Sequence, residues 1–391
     1  MKIRFRSRAS RPPSGRPRRP ALLAAALALP LLLASCALDA ETTASSEELA
    51  GSRIPATVAP DTELVVGAPS LKVALELSGQ IDELPFTVEW ANISGGPQCS
   101  EAFRAGALDV CAAAEIPSIN AHWTGLDTKL VAAAFREDPY ENPIYELGIA
   151  PGAGIRSLED LRGKKIAYSP GQAQGALVLR VLQKAGLTQD DVELVELAST
   201  GDVYPTALGN HQVDAAPIAD VNIKRYLKNY GGQGATTLKH GLRDDPSHLW
   251  ALTESVADPE KAAAVRELVE FWARAQIWID EHPDEWIDGW YVKDQGLSRE
   301  DGEYLVERAG HPDIPADWSA AIERQQQTVD LLAEEQGHQR FEAKTLFDRR
   351  FEKVGAQALA EEAGGAPGGG DAAKSEGAEK NETAAKSGGA S

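Results

Sequence analysis

The chain has 391 residues and carries 59 acidic against 39 basic side chains, a formal net charge of −20 at pH 7. Eight of the basic residues lie within the first 19 positions, so the remainder carries 31 basic against 59 acidic side chains, a net charge of −28. A surface this acidic repels nucleic acid and anionic lipid headgroups, and we therefore expect no nucleic-acid partner.

The charge and hydropathy pattern of residues 1–35 predicts an export signal. A basic segment without any acidic residue precedes the short apolar run ALLAAALALPLLLA, which is the order of a signal peptide. The run ends in LASC, which is similar to the bacterial lipobox, so Cys36 is expected to carry a lipid that anchors the protein to the outer face of the cell membrane. An ordinary signal peptide with an incidental Cys36 is the alternative. The polar residues 36–60 predict a flexible tether.

Residues 60–150 alternate short apolar strands with helices and glycine turns. This alternation predicts a mainly parallel sheet that is covered by helices. Strands are predicted at 63–67, 86–91, 108–113, 129–135 and 146–150, and helices at 70–79 and 98–105.

The same alternation returns after residue 156. Strands are predicted at 164–168, 192–197 and 213–217, and helices at 157–161, 203–208 and 222–229, with a further helix that ends at Ala185. The last strand-to-helix junction before Ala185 is a Ser-Pro-Gly loop, and such a junction points bare backbone N–H groups at whatever lies in front of it. The C-terminal third is predicted to be helical, at 259–280, 284–292, 299–309 and 318–335, and the low-complexity residues 361–391 to be disordered.

Two cysteines remain after Cys36. Cys99 stands at the start of a predicted helix, and Cys111 lies in the strand that returns beside it. In an oxidising compartment the two can form a disulfide, and two buried thiols are the alternative. The sequence leaves both open, because the geometry of the pair decides.

Motifs of catalysis and of metal binding are absent from the sequence. The glycine loop lacks G-x-x-x-x-G-K-[ST], the seven histidines show no H-x-x-x-H or H-E-x-x-H spacing, and no G-x-S-x-G occurs. We therefore expect a protein that is not an enzyme and that uses no cofactor or metal ion.

The order of several short blocks is similar to that of a known family. The blocks are GGP, EAFRAGALDV, AAAEIPSINA, GIRSLEDLRGKKIAYSPGQAQGALVLRVLQKAGL and ALGNHQVDAAPIAD. In this order, behind a lipobox, they resemble the substrate-binding lipoproteins of ABC importers of the sulfonate, taurine and nitrate type. The likeness extends over about residues 63–290, and LEDLRGKKI is its most specific part.

This resemblance implies an α/β protein with the type II periplasmic-binding fold. Two α/β lobes would be joined by a two-strand hinge, and the C-terminal region would be helical. Lobe one would comprise residues 60–148 plus 240–360, and lobe two residues 149–239. The ligand would lie in the cleft between the lobes, at the carboxyl ends of strands and the N-termini of helices.

The resemblance also implies that four loops face the cleft. Their residues are Ser94, Gly95, Gly96, Pro97 and Gln98 in the first, Glu115 and Ile116 in the second, Ser169, Gly171, Gln172 and Ala173 in the third, and Asp220 and Asn222 in the fourth. Glu115, where the family usually has Asp, is expected to accept a hydrogen bond from a ligand ammonium, with a helix cap or a hinge ion pair as the alternative. A plain tight turn is the alternative for the first loop, and helix capping for the fourth. Since no loop contains Arg or Lys, a neutral or zwitterionic solute suits them better than nitrate or sulfate.

Together these features predict the extracytoplasmic solute-binding component of an ABC import system. It would act as a monomer, capture a small solute between its lobes and deliver it to a permease that works with an ATPase subunit. The solute is expected to be sulfonate-like or taurine-like, or a related zwitterionic or anionic compound. A solute-sensing surface lipoprotein without a transport role and a thiamine-precursor-type binding protein are the alternatives.

Overall fold

The computed structural model describes residue 49 and residues 51–93, 95–141 and 143–363. The predicted signal peptide, the predicted lipid attachment at Cys36 and the candidate ligand residue Ser94 lie outside the described residues. So do most of the predicted C-terminal tail and the first part of the predicted tether.

Six strands form the first sheet. They are β1 (Glu63–Gly67), β2 (Thr87–Trp90), β3 (Val110–Ala113), β4 (Thr128–Arg136), β10 (Ser247–Leu252) and β11 (Pro312–Asp313). Their order is β11-β4-β10-β3-β1-β2, with β1 parallel to β2 and β3, and β10 antiparallel to both β3 and β4. Eight of the nine residues of β4 are buried, as expected for a strand whose two faces are both covered. Helices α1 (Pro69–Ser78), α2 (Gly96–Arg104) and α3 (Ile116–Trp123) follow β1, β2 and β3.

Five strands form the second sheet. They are β5 (Tyr145–Ile149), β6 (Lys165–Tyr168), β7 (Glu193–Glu196), β8 (Ala215–Ala219) and β9 (Thr236–Leu238), in the order β7-β6-β8-β5-β9. β6 is parallel to β7 and β8, whereas β5 is antiparallel to β8 and β9. Helices α4 (Ala173–Lys184), α5 (Val203–Gly209) and α6 (Val221–Tyr230) follow β6, β7 and β8.

Helix α4 forms because its apolar residues recur at helical spacing. Leu177, Val178, Val181 and Leu182 are all buried, which places them on one stripe of the helix. The stripe packs in the core of the second sheet together with Ile166 of β6. The polar loop before α4 is thereby held at the end of a rigid strand–helix pair.

The remaining helices follow β10. They are α7 (Thr253–Ala257), α8 (Pro259–Glu281), α9 (Pro283–Trp286), α10 (Arg299–Ala309), α11 (Ser319–Gln336) and α12 (Val354–Glu362), with a π-helical segment at Ile287–Asp294. Helix α8 begins where it does because Asp258 accepts backbone N–H bonds from Glu260 and Lys261 and Pro259 occupies the first turn. α8 packs against α1 and α12, α10 packs against α6, and α11 packs against α4, so α10 and α11 contact the second sheet's helices.

None of the helices in the described part of the chain is both long enough and apolar enough to cross a membrane.

The last part of the predicted tether belongs to the folded body. Leu49 is 4% exposed and lies in the core of the first sheet, and Ile54 and Val58 pack against that core. The guanidinium of Arg266 donates hydrogen bonds of 2.8 Å to the carbonyl oxygens of Pro55 and Ala56. These contacts order residues 54–60, so a flexible tether would have to end before them.

The chain changes sheets twice. It leaves β4 at residue 136 and enters β5 at residue 145, and it returns between residues 238 and 247. β5 pairs with β8 along its whole length and with β9 over its last three residues, so the first change comes slightly before the lobe boundary predicted at 148/149. The residue bounds of the two predicted lobes stay a prediction.

Candidate functional site

Two connecting segments, residues 137–144 and 239–246, join the sheets, and we call them the hinge segments. The Asp244 carboxylate accepts hydrogen bonds from the backbone N–H groups of Ile144 (3.0 Å) and Tyr145 (2.8 Å). The Asp245 carboxylate accepts one from the backbone N–H of Arg136 at 2.8 Å. Neighbouring acidic residues of the second segment therefore fix both the end of β4 and the start of β5.

The carboxyl ends of the parallel strands of the two sheets face each other. Asn120 lies in α3, which follows β3 of the first sheet, and Gly171 lies in the loop after β6 of the second sheet. The Asn120 side-chain Nδ2 donates a 3.1 Å hydrogen bond to the carbonyl oxygen of Gly171. In sheets of this kind, ligands bind outside the carboxyl ends of the strands, so the candidate site lies between these edges.

The first predicted loop packs closely against the second. Gly95 has a φ of 83°, which favours glycine, and Gly96 is buried. A Cβ at Gly96 would lie 2.3 Å from Cγ of Pro117, so only glycine allows the first turn of α2 to approach α3 this closely. Pro97 and Gln98 are exposed at the start of α2. These residues lie at the start of α2, at the end of the strand β2 that precedes it.

The structure joins Cys99 and Cys111 in a disulfide, with their Cα atoms 6.2 Å apart. Cys99 lies in α2, directly after the first predicted loop, and Cys111 lies in β3, which leads to the second. Both residues are fully buried. The cross-link therefore ties the two loops of the first sheet to each other.

Glu115 does not present a free carboxylate to the site. Only 5% of its surface is exposed, and its Oε1 forms an ion pair with Nη2 of Arg180 in α4. The Thr328 hydroxyl in α11 also donates to Oε1 at 3.3 Å. Ile116, the first residue of α3, is 1% exposed, and its side chain belongs to the core. Of the three interpretations of Glu115, the contacts match an ion pair, here one between α4 and the start of α3, whereas the Glu115 side chain makes no cap bond to α3.

The third predicted loop lies at the N-terminus of α4. Ser169 is buried beside Tyr204. Burial raises the pKa of Tyr204 to about 12, and the Ser169 hydroxyl lowers this pKa by a smaller amount. Gln172 occupies the N-cap position without a side-chain cap bond, and Gln172 and Ala173 are half-buried. A Cβ at Gly175 would lie only 2.1 Å from the carbonyl oxygen of Ser169, so the helix backbone packs directly on the loop.

In the fourth predicted loop, Asp220 and Asn222 differ in their surroundings. The Asn222 amide donates a 3.0 Å hydrogen bond to the carbonyl oxygen of Gly201 and holds the loop before α5. Asp220 has a φ of 53°, an uncommon value for a residue other than glycine, and the residue as a whole is exposed. Loss of hydration nevertheless raises the pKa of Asp220, whereas Arg136 and Arg308 lower it.

Asp220 lies in a group of charged and aromatic side chains, which we call the Asp220 cluster; its members are Arg136, Tyr145, Asp220, Tyr291 and Arg308. Tyr145 pairs with Ala219 across β5 and β8, which brings it beside Asp220. Nη1 of Arg136 donates to the carbonyl oxygen of Arg308 at 3.4 Å. Burial, followed by the negative charge of Asp220, raises the pKa of Tyr145. Burial also raises the pKa of Tyr291, with Asp220 as a smaller contribution.

Most members of the Asp220 cluster lie outside the four predicted loops. Arg136 is the last residue of β4, Tyr145 begins β5, and Arg308 lies in the last turn of α10. The expectation that the site lacks basic side chains is true of the loops but not of the strand edge next to Asp220. Both signs of charge are present there, which suits a small polar solute. No group of three or more His, Cys, Asp and Glu in the described part of the chain is arranged to hold a metal ion.

Comparison with protein families gives one match. The model of the family described as NMT1/THI5 like matches residues 88–286, about half of the chain. Among curated proteins, the chain is 30% identical over 133 residues to the putative aliphatic sulfonates-binding protein of Escherichia coli (strain K12). That alignment covers 34% of this chain and 40% of the relative.

Solved structures show the fold. The periplasmic aliphatic sulphonate binding protein from Escherichia coli aligns with a TM-score of 0.60 and 21% identity, over 73% of this chain and 91% of that one. The predicted periplasmic-binding fold, with its two α/β lobes, is confirmed. A desulfurization enzyme has the same fold, with a TM-score of 0.52, 17% identity, and coverage of 77% of this chain and 99% of the enzyme. The fold alone therefore does not separate a binding protein from an enzyme.

Proposed function

Because this chain belongs to the NMT1/THI5-like family, we propose that it is the solute-binding component of an ABC import system outside the cytoplasm. It captures a small solute, sulfonate-like or a related zwitterionic or anionic compound, between its two lobes. It then delivers the solute to a permease that is driven by an ATPase subunit. The curated relative and the solved structure named for sulfonate binding support this class of solute.

One observation carries the proposal. Polar groups from both sheets meet at the carboxyl ends of their strands, where Asn120 contacts Gly171 and where Arg136 of β4 lies near Asp220 of the second sheet. The helices α2, α4 and α6 begin at the same edges, and their first backbone N–H groups favour an acidic group on the solute. A solute at this position contacts both lobes at once.

Hinge closure is the proposed mechanism of capture. A ligand that touches both lobes binds more tightly to the closed form than to the open form, and it shifts the population toward closure by that difference in affinity. Asp244 and Asp245 keep the hinge segments in register during such a rotation, since they hold the backbone at both ends of the first segment. The permease would then recognise the closed form.

The proposed location is the outer face of the cell membrane, reached through the signal peptide and a lipid on Cys36. The disulfide between Cys99 and Cys111 supports a compartment outside the reducing cytosol. Since the mature chain is strongly acidic, the body would remain in solution above the anionic lipid surface.

Thermal unfolding of the purified chain with a panel of solutes tests this function. The panel comprises taurine, alkanesulfonates, nitrate, thiamine precursors and neutral sugars. We expect at least one sulfonate to raise the midpoint temperature of unfolding. A ligand at a free concentration one hundred times its Kd adds about 2.7 kcal/mol to the free energy of unfolding. Stabilisation by a thiamine precursor alone would favour the thiamine-type alternative. A panel without any stabilising compound would contradict solute binding.

A further inference from the structure

We propose that the two lobes rotate about a fixed contact between α4 and α11, and that they open on the opposite side, where ion pairs between α6 and α10 form a latch. This inference rests on the proposed capture of a solute between the lobes and deepens it by assigning a pivot and a moving edge. α4 and α6 follow strands of the second sheet, whereas α10 and α11 follow β10 of the first sheet.

α4 and α6 cover opposite faces of the second sheet. Successive side chains of a strand point to opposite faces, and β6 shows this clearly. Ile166 lies in one core with Leu177 of α4, and Ala167 lies in another core with Ile223 of α6. Since α11 packs against α4 and α10 packs against α6, the two C-terminal helices contact the second sheet's helices on opposite sides.

The contact between α4 and α11 is buried. Ala176 and Leu179 of α4 are each 2% exposed and lie in the core of the first sheet, together with Leu332 of α11. Arg180, next to them on the helix, holds the buried Glu115 carboxylate. Separating the two helices would expose apolar surface and leave an unpaired buried charge, and both changes are unfavourable. This contact therefore stays closed while the lobes rotate.

The C-terminal end of α11 extends the same contact. Nε2 of Gln336 donates a 2.9 Å hydrogen bond to the hydroxyl of Tyr168, at the end of β6. Nε2 of Gln189, in the 3₁₀ turn before β7, donates to the carbonyl oxygen of Glu335 at 2.9 Å and to its carboxylate at 2.6 Å. Together with the contacts of Arg180, these bonds hold α11 to the second sheet's side along much of its length.

The contact between α6 and α10 consists of ion pairs. Nζ of Lys224 lies 2.9 Å from Oε1 of Glu300 and 3.1 Å from Oδ1 of Asp301, and Nη2 of Arg225 lies 3.1 Å from Oδ2 of Asp301. The side chains of Arg225 and Glu300 are 50% and 80% exposed. Exposed ion pairs contribute little each and are screened by salt, so this contact separates far more readily than that of α4 with α11.

The two ends of α10 differ in their distance from the hinge segments. Near its C-terminal end, Nη2 of Arg308 forms a 2.8 Å ion pair with Glu146 of β5, directly after the first hinge segment. The latch lies at the other end, with Asp301 shared by two cations of α6. An axis through the hinge segments and the α4–α11 contact therefore moves Arg308 little and moves the first turn of α10 most. The edge that opens includes the N-terminus of α6, so the solute enters from the side of Asp220.

Distances between pairs of spin labels, measured by double electron–electron resonance in the chain without solute, test the inference. One pair, at Lys228→Cys and Glu307→Cys, reports on α6 and α10, and the other, at Gln183→Cys and Gln327→Cys, reports on α4 and α11. All four positions are exposed. The full chain carries Cys36→Ser so that only the introduced thiols react, because the other two cysteines are joined in the disulfide.

Asp301→Lys reverses the charge at the centre of the latch. It is expected to lengthen the α6–α10 distance by more than about 2 Å and to leave the α4–α11 distance unchanged. The control Glu303→Lys makes the same change of charge on the same helix, but the partner of Glu303 is Arg299 within α10, so neither distance should change.

Salt gives a second readout in the chain with Asp301 intact. Raising the ionic strength from about 0.1 M to about 1 M shortens the screening length from about 10 Å to about 3 Å, and it should also lengthen the α6–α10 distance alone. This measurement decides the matter if Asp301→Lys does not fold. Lengthening of both distances would overturn the fixed pivot, and an unchanged α6–α10 distance would overturn the latch. Either result leaves the proposed function standing, since solute binding is tested separately by the thermal panel.

Discussion

Replacement of Arg180 by alanine is expected to lower the free energy of unfolding by about 3 kcal/mol. The change removes the guanidinium that pairs with Glu115, whose side chain is 6% exposed, and it leaves that carboxylate buried beside the Thr328 hydroxyl. This value is at the lower end of the destabilisation that follows when one partner of a buried ion pair is removed, because the Arg180 side chain is 21% exposed. Chemical denaturation followed by circular dichroism measures the difference.

Arg162→Ala is the matched control for this change. Arg162 pairs with Asp191 at the surface, where its side chain is 61% exposed, so its loss should cost less than about 1 kcal/mol. The double variant Glu115→Gln with Arg180→Met should recover much of the lost stability, because it removes both charges. Arg180→Ala and Arg162→Ala variants of equal stability would show that the Glu115–Arg180 pair does not join the two halves of the fold.

Replacement of Gly175 by alanine is expected to destabilise the protein by about 1–3 kcal/mol and to weaken solute binding. The new Cβ would lie 2.1 Å from the carbonyl oxygen and 2.8 Å from the carbonyl carbon of Ser169, and backbone atoms cannot rotate away as a side chain does. The loop of Ser169 and Gly171 must therefore shift. A shift that costs the bound state about 1.4 kcal/mol lowers affinity tenfold, which titration of the variant measures.

Gly232→Ala separates this effect from a general effect of glycine replacement. No atom lies within 4 Å of a Cβ built at Gly232, which is also on the second-sheet side of the chain. This control should retain the stability and the affinity of the parent within error, or gain slightly in stability. Unchanged solute affinity in Gly175→Ala would argue that the loop before α4 does not contact the solute.

The sequence predicted the regular part of the fold well. The strands of residues 63–67 and 164–168 and the helix after the Ser-Pro-Gly loop have clear apolar patterns with glycine or proline at their ends, and these are local signals. Strand β10 and helix α3 were not predicted. β10 lies between β3 and β4, and its place depends on partners more than one hundred residues away. The second predicted loop, for which a helix cap at Glu115 was one alternative, is in fact the start of helix α3, and Pro117 is tolerated there because it lies in the first turn.

The candidate site was harder to predict than the fold. Loops that start helices are visible in the sequence, and the third and fourth predicted loops do lie at the N-termini of α4 and α6. The role of Glu115 depends on Arg180, which is 65 residues away, and no spacing rule links the two. Arg136 and Arg308 are 172 residues apart and meet only because α10 packs beside the second sheet. Pairings of this kind come from tertiary structure alone.

Hydrogen exchange of the backbone, measured by mass spectrometry with and without a saturating solute, tests capture between two lobes most directly. The account predicts that the bound solute slows exchange on both sides of the cleft together. The segments are residues 95–99, next to the first sheet, and residues 169–176 and 220–223, next to the second. Both sets lie at the strand ends that face each other. Slower exchange confined to one side, or located away from these edges, would contradict binding between the lobes.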